Sequence, residues 1–97
     1  MSSEPIIDID ATGEEVLLSD RIADLVEYLV VSIVDDVDAL RLEVIDEAQS
    51  STIEISVAED DIAKLIGRQG RTIKAIRTLA RALAARLGTT VEVEVLG

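Results

Sequence analysis

Residues 64–77 read Lys64-Leu65-Ile66-Gly67-Arg68-Gln69-Gly70-Arg71-Thr72-Ile73-Lys74-Ala75-Ile76-Arg77. Two glycines bracket two polar residues, and apolar residues at helical spacing lie on both sides: Ile62, Leu65 and Ile66 before, Ile73 and Ile76 after. The pattern predicts two helices joined by a four-residue turn. Gly67 stands where a helix-ending glycine belongs. Glycine tolerates positive φ, so the turn can be tight, and it lacks the bulk that holds another backbone away. The second helix starts at the turn, and its first N–H groups have no partner within the helix, which makes an anion site. Arg68 and Arg71 add charge beside it, with Lys64 and Lys74 a turn away on either side. Ile62, Ile66 and Ile73 are candidates for an apolar floor next to the turn, and each is equally a candidate for the core.

Toward the C-terminus, Ile73, Ile76, Ala80, Leu83 and Leu87 recur at three- and four-residue steps, which predicts a helix over 71–87 ended by Gly88. Lys74, Arg77 and Arg81 share an adjacent face of it. Val91, Val93 and Val95 then alternate with Glu92 and Glu94 as a strand. Toward the N-terminus, residues 59–66 form a short helix with Glu59, Asp60 and Asp61 in its first turn, where the helix dipole favours anions. Residues 52–57 alternate Ile53, Ile55 and Val57 with polar partners, and 40–46 alternate Leu40, Leu42 and Val44. The polar stretch 47–51 makes these two runs a hairpin. Residues 19–34 carry an apolar stripe from Ile22 to Ile33, with Ser19 as the expected N-cap and Asp35-Asp36-Val37-Asp38 as the stop.

The order is αββααβ. The connection between the second and third strands is long enough for a parallel crossover. The expected fold is therefore α+β, with a three-stranded mixed sheet and helices packed on one face. Residues 19–97 make the domain. Residues 1–18 read as an acidic leader, disordered for the most part, in which Ile6–Ile9 forms at most a short edge strand.

Composition sets limits. The 97 residues suit one domain, and with no Phe or Trp and a single Tyr the core must be aliphatic. The absence of Cys and His excludes disulfides and Cys/His zinc sites, and removes the usual bases and nucleophiles of an enzyme. No catalytic residue, metal ligand or cofactor site is assigned. Asp8-Ile9-Asp10-Ala11-Thr12-Gly13 opens like a calcium-binding loop, but its twelfth position is Ser19 where a bidentate Glu is required. Gly70 lacks the Lys-Ser/Thr continuation of a nucleotide-hydrolysing P-loop. There is no signal peptide and no apolar run long enough for a bilayer, so the expected location is cytoplasmic.

The net charge of −11 argues against a nucleic-acid partner when taken as an average, yet the charge is divided into blocks. Residues 1–61 hold eighteen acidic and two basic residues, whereas residues 62–90 hold seven basic residues and no acid. A basic helix face is ordinarily just a solvated one. Complete exclusion of acids over 29 residues of an acidic chain favours a contact surface for a polyanion.

The motif Ile66-Gly67-Arg68-Gln69-Gly70-Arg71-Thr72-Ile73-Lys74-Ala75-Ile76-Arg77 within this element order resembles a bacterial-type (type II) KH domain. In particular it resembles the small stand-alone bacterial KH proteins of the KhpA (YlqC-like) type. The resemblance spans residues 19–95. It implies that Gly67, Arg68, Gln69 and Gly70 clamp the backbone of about four nucleotides of single-stranded RNA. Lys64, Arg71, Lys74 and Arg77 would then supply charge, and Ile62, Ile66 and Ile73 a floor for bases. It further implies an RNA chaperone or post-transcriptional regulator. The implied partners are a second copy, in a homodimer, or a larger KH-containing (KhpB/Jag/EloR-like) protein, in a heterodimer. The leader is longer than is usual for these proteins and could compete with RNA for Arg68 and Arg71, and no proline follows the first helix. The lack of aromatics excludes sheet readers that stack bases on aromatic rings, and leaves a backbone clamp possible. The rival expectation is an assembly subunit with little RNA binding of its own, because Ala75, Ala82 and Ala85 lie off the core stripe and permit close helix packing.

Overall fold

A computed structural model describes residues 7–9 and 15–97, with side chains from Leu18 onward. The chain runs β1 (Ile7–Ile9), β2 (Glu15–Leu17), α1 (Leu18–Val31), β3 (Arg41–Asp46), β4 (Ser50–Ser56), α2 (Glu59–Ile66), α3 (Arg71–Leu87) and β5 (Thr90–Val95). From α1 onward this is the expected αββααβ order of an α+β KH domain. β3 pairs antiparallel with β4, and β4 pairs parallel with β5, giving the sheet order β3-β4-β5. The parallel pair is possible because α2 and α3 form the crossover between those strands.

One sheet face carries the core. Ile53 and Ile55 of the central strand are fully buried, and opposite them stand Val44 and Leu42 on one side and Val93 and Val95 on the other. Ile22, Val26 and Val30 from α1, Leu65 from α2, and Ile73, Ile76, Ala80 and Ala84 from α3 close the layer above. Branched aliphatics on the strands and alanines on α3 let helix and sheet approach closely, so a buried core forms without Phe or Trp. The opposite sheet face has no helix packed on it among the described residues. There Glu43, Glu54 and Glu94 are direct partners in one row across the three strands.

Three departures from the sequence reading have local causes. First, α1 starts at Leu18 and ends at Val31, so Ser19 lies buried in its first turn instead of capping it. β2 runs directly into the helix, which leaves no extended residue at position 19 to act as a cap. Second, the chain after α1 is held by a short 3-10 turn, Val37–Ala39, whose Asp36 carboxylate accepts the Ala39 N–H at 3.3 Å. Third, β4 begins at Ser50, two residues earlier than its alternation suggested, because Glu47 N–H donates to the Ser50 carbonyl and tightens the hairpin.

Within the leader, Ile7–Ile9 is a strand, but it pairs with Glu15–Leu17 in a separate two-stranded sheet and not at the edge of the main one. The rest of the leader, including most of the calcium-loop-like Asp8–Gly13, lies outside the described residues. Leu18 and Ser19 line a cleft with Ser50, Ser51 and Thr89, so the start of α1 sits beside the end of α3. The leader therefore joins the domain about 25 Å along α3 from the glycine turn, at 1.5 Å per helical residue. Among the described residues, no helix is long and apolar enough to cross a membrane.

Candidate nucleic-acid interface

The glycine turn is built from left-handed backbone. Gly67 has φ +79° and ψ 171°, Gln69 φ +57° and ψ 26°, and Gly70 φ +73° and ψ 15°. Gln69 is the one non-glycine residue with positive φ among the described residues, a conformation that costs an L-residue about 1–2 kcal/mol. The hydrogen bonds show what holds it. Gly67 N–H donates to the Ala63 carbonyl at 2.9 Å, and Gly70 N–H to the Gly67 carbonyl at 3.1 Å. Arg71 N–H donates to the Arg68 carbonyl. Arg68 and Gln69 stand between the two glycines with their backbone N–H groups in succession. They sit at the apex of the turn, where successive N–H groups make a small anion-binding concavity.

The two glycines serve different ends. A Cβ on Gly67 would stand 2.6 Å from the Thr72 Cβ and 2.9 Å from the Thr72 backbone nitrogen, so Thr72 fills that side of the turn. A Cβ on Gly70 would meet nothing within 4 Å among the described residues. Gly67 is required by packing inside the protein, and Gly70 leaves an open approach from outside.

The seven basic residues of this segment divide by what they touch. Arg68, Arg71 and Lys74 are exposed and have no carboxylate partner among the described residues; Arg71 Nη2 donates to Gln69 Oε1 at 3.1 Å. Lys64 is paired with Asp35 and lies 3.9 Å from Asp61. Arg77 is half-buried, and its Nε donates to the Val93 carbonyl on β5 at 3.0 Å. Arg81 is paired with Glu92 at 2.9 Å, and Arg86 lies in the last turn of α3, far from the loop. The basic block of the sequence thus resolves into three exposed cations at the turn with no carboxylate on them among the described residues, one held cation beside it, two arginines that fasten α3 to the sheet edge, and Arg86 at the far end of α3.

The apolar candidates also separate. Ile73 belongs to the core, 4% exposed. Ile62 and Ile66 are half-buried and keep accessible surface on α2. Gly97 comes against Ile62, since a Cβ there would stand 2.7 Å from the Ile62 Cδ1, while Leu96 N–H donates to the Ile55 carbonyl.

By sequence alone Asp61 is a first-turn acid of α2. Its side chain is almost fully buried, and its two oxygens accept the N–H groups of Asp35 at 3.1 Å and Asp36 at 3.0 Å. These two bonds, the Asp36 one foremost, hold its carboxyl below the ordinary range; the Lys64 charge contributes less and burial opposes. Lys64 is shifted upward, first by its bond to the Asp35 side chain and then by the surrounding carboxylates.

The sequence profile of the KhpA/KhpB KH domain matches residues 23–95. A protein from Borreliella burgdorferi named "RNA-binding protein KhpA" is 42% identical over 73 residues, covering 75% of this chain and 89% of the relative. Proteins of the same name from Mycobacterium tuberculosis, 42% identical over 69 residues (71% and 86% covered), and Halalkalibacterium halodurans, 39% identical over 72 residues (74% and 95% covered), align similarly. No solved structure matches the chain significantly.

Proposed function

The chain belongs to the KhpA/KhpB KH-domain family, and from that premise we propose that it binds single-stranded RNA, with Gly67–Gly70 as a clamp on the phosphodiester backbone. The observation that carries this reading is the left-handed turn itself, which sets the successive backbone N–H groups of Arg68 and Gln69 beside an open Gly70, among the exposed cations Arg68, Arg71 and Lys74 that have no carboxylate partner among the described residues. Phosphate oxygens accept from such N–H groups, and the three cations neutralise the strand on either side. Bases then turn toward α2, where Ile62 and Ile66 offer aliphatic contact, and Ile73 supports them from the core. Lys64 and Arg77 lie at the two margins of this surface. In a cell this makes a cytoplasmic RNA chaperone or post-transcriptional regulator.

The test replaces Arg68 and Gln69 with Asp and measures polarisation of a labelled single-stranded RNA. Binding is lost and the thermal transition of the protein is retained. With about three to four phosphates engaged, log affinity of the unaltered chain falls with log salt at a slope of roughly −2 to −3. Binding that survives the double substitution, or a slope near zero, overturns the clamp.

A second reading has its own observation. Leu79 is 48% exposed on α3, and Ala75 and Ala82 are exposed on the same flank. Small residues around one large apolar side chain suit helix packing against another KH chain, either a second copy or a larger KhpB/Jag/EloR-like protein. The two readings are compatible, because pairing doubles the number of strand sites and adds avidity.

A further inference from the structure

The segment after α1 is tied to the clamp. Asp61 sits in the first turn of α2 with its carboxylate buried, and it receives the backbone N–H groups of Asp35 and Asp36 at 3.1 and 3.0 Å. That anchorage fixes the Asp35 main chain against α2. The Asp35 side chain then reaches across to the Lys64 ammonium, one helical turn before Gly67, and Asp61 itself lies 3.9 Å from the same ammonium. Lys64 is the one cation next to the turn with a carboxylate on it; Arg68, Arg71 and Lys74 have none among the described residues.

An ion pair between two exposed side chains is ordinarily weak, because both chains lose freedom to form it. Here one partner's backbone is already fixed by a buried acceptor, so less freedom is lost. A second carboxylate adds to the field from the other side. Lys64 is held in its charged form and held away from solvent phosphate at once.

We propose that Asp35 guards Lys64 and sets the strength of RNA binding: its carboxylate occupies the ammonium that a bound strand's phosphate would otherwise take. The inference rests on the RNA-binding reading above. A strand gripped by the Arg68 and Gln69 N–H groups remains bound without Lys64. A polyanion attracted by charge alone meets one cation fewer and an added acid. Asp35 thereby favours ligands that use the backbone clamp over those that use only charge.

The experiment compares the unaltered chain with Asp35→Asn, Lys64→Ala, the double variant and Asp38→Asn. Asn at position 35 keeps the backbone N–H that Asp61 receives, so the loop stays anchored. Asp38→Asn removes the same charge from the same loop without touching Lys64. Affinity for a labelled single-stranded RNA and for heparin is measured across a salt series. Asp35→Asn is expected to raise RNA affinity about two- to five-fold, the range that one exposed ion pair represents. It should also steepen the salt slope by about 0.7, the increment of one further phosphate on a single strand. Heparin affinity should rise by at least the same factor, Asp38→Asn should do less, and the gain should vanish when Lys64 is Ala. If the unaltered chain binds RNA and Asp35→Asn leaves affinity and slope where they were, or if its gain persists without Lys64, the guard is refuted and the clamp stands. If no variant binds RNA, both fall together.

Discussion

The side chain of Thr72 occupies the space that a Cβ on Gly67 would need, so the first glycine of the turn is packed from below by the first turn of the helix that follows it. The second glycine, Gly70, faces open space. This asymmetry separates stability from binding. Gly67→Ala meets Thr72 and also a backbone region nearly exclusive to glycine, which costs about 1–3 kcal/mol before the clash is counted. Gly70→Ala bears only the left-handed penalty of about 1 kcal/mol, yet it places a methyl on the open side of the turn. Urea unfolding should rank Gly67→Ala as the less stable variant. RNA polarisation on the folded fraction should show Gly70→Ala losing the larger part of its affinity.

Arg77 belongs to the sheet as much as to the basic surface. Its Nε bond to the Val93 carbonyl satisfies an acceptor on the outer strand and ties the middle of α3 to β5. Arg77→Ala is expected to destabilise the domain by about 1 kcal/mol, the net worth of one such bond. Its RNA affinity should fall less than that of Lys74→Ala, whose ammonium has no such duty. Chemical denaturation and a binding titration on the same two variants decide the order.

The lowered pKa of Asp61 fixes the sign of a pH effect. A carboxyl more acidic in the folded than in the unfolded state adds stability above its unfolded value, near pH 4. That contribution is lost as pH falls through the folded value, when protonation weakens the grip on the Asp35 and Asp36 N–H groups. Asp61→Asn keeps one acceptor oxygen and has no charge to lose. Its stability at pH 7 should drop, and its stability between pH 4 and pH 2 should fall less steeply than that of the unaltered chain. Urea midpoints over that range give the comparison; parallel curves would show that another group carries the acid sensitivity.

Leu79→Glu tests the pairing surface. Leu79 is nearly half exposed, so the change should shift stability by no more than about 0.5 kcal/mol. Sedimentation velocity at micromolar concentration should find the unaltered chain as a dimer and Leu79→Glu as a monomer. A monomeric unaltered chain would retire homodimerisation through this face.

The elements around the glycine turn are legible because each announces itself locally. Ile53 and Ile55 alternate with polar residues, Ile73, Ile76 and Ala80 step at three and four, and Gly67 and Gly88 end helices where the periodicity ends. Such signals need a window of a few residues and no knowledge of the rest of the chain. What escaped depends on contacts made at long range. Asp61 receives Asp35 from 26 residues away, and Arg77 meets Val93 from 16 residues away. An acid in a helix first turn has a sufficient local explanation in the helix dipole, so nothing in its neighbourhood hinted at a buried acceptor. The same holds for Ser19: its type suits a cap, but β2 delivers the chain already turned into the helix at Leu18. Among the basic residues, the block is visible in the sequence, while the division into exposed, held and structural cations required the fold.

The row Glu43, Glu54 and Glu94 on the sheet face opposite the helices has a consequence for how the domain meets a long polyanion. A body that is repelled on one side and drawn in on another experiences a torque before it experiences contact. Under the proposed clamp, such a field favours approach with the glutamates turned away from the strand and the glycine turn toward it, over a distance of about a Debye length. Surplus acid in this chain therefore acts like the keel of a boat: it adds nothing to the grip, but it determines which way up the domain travels.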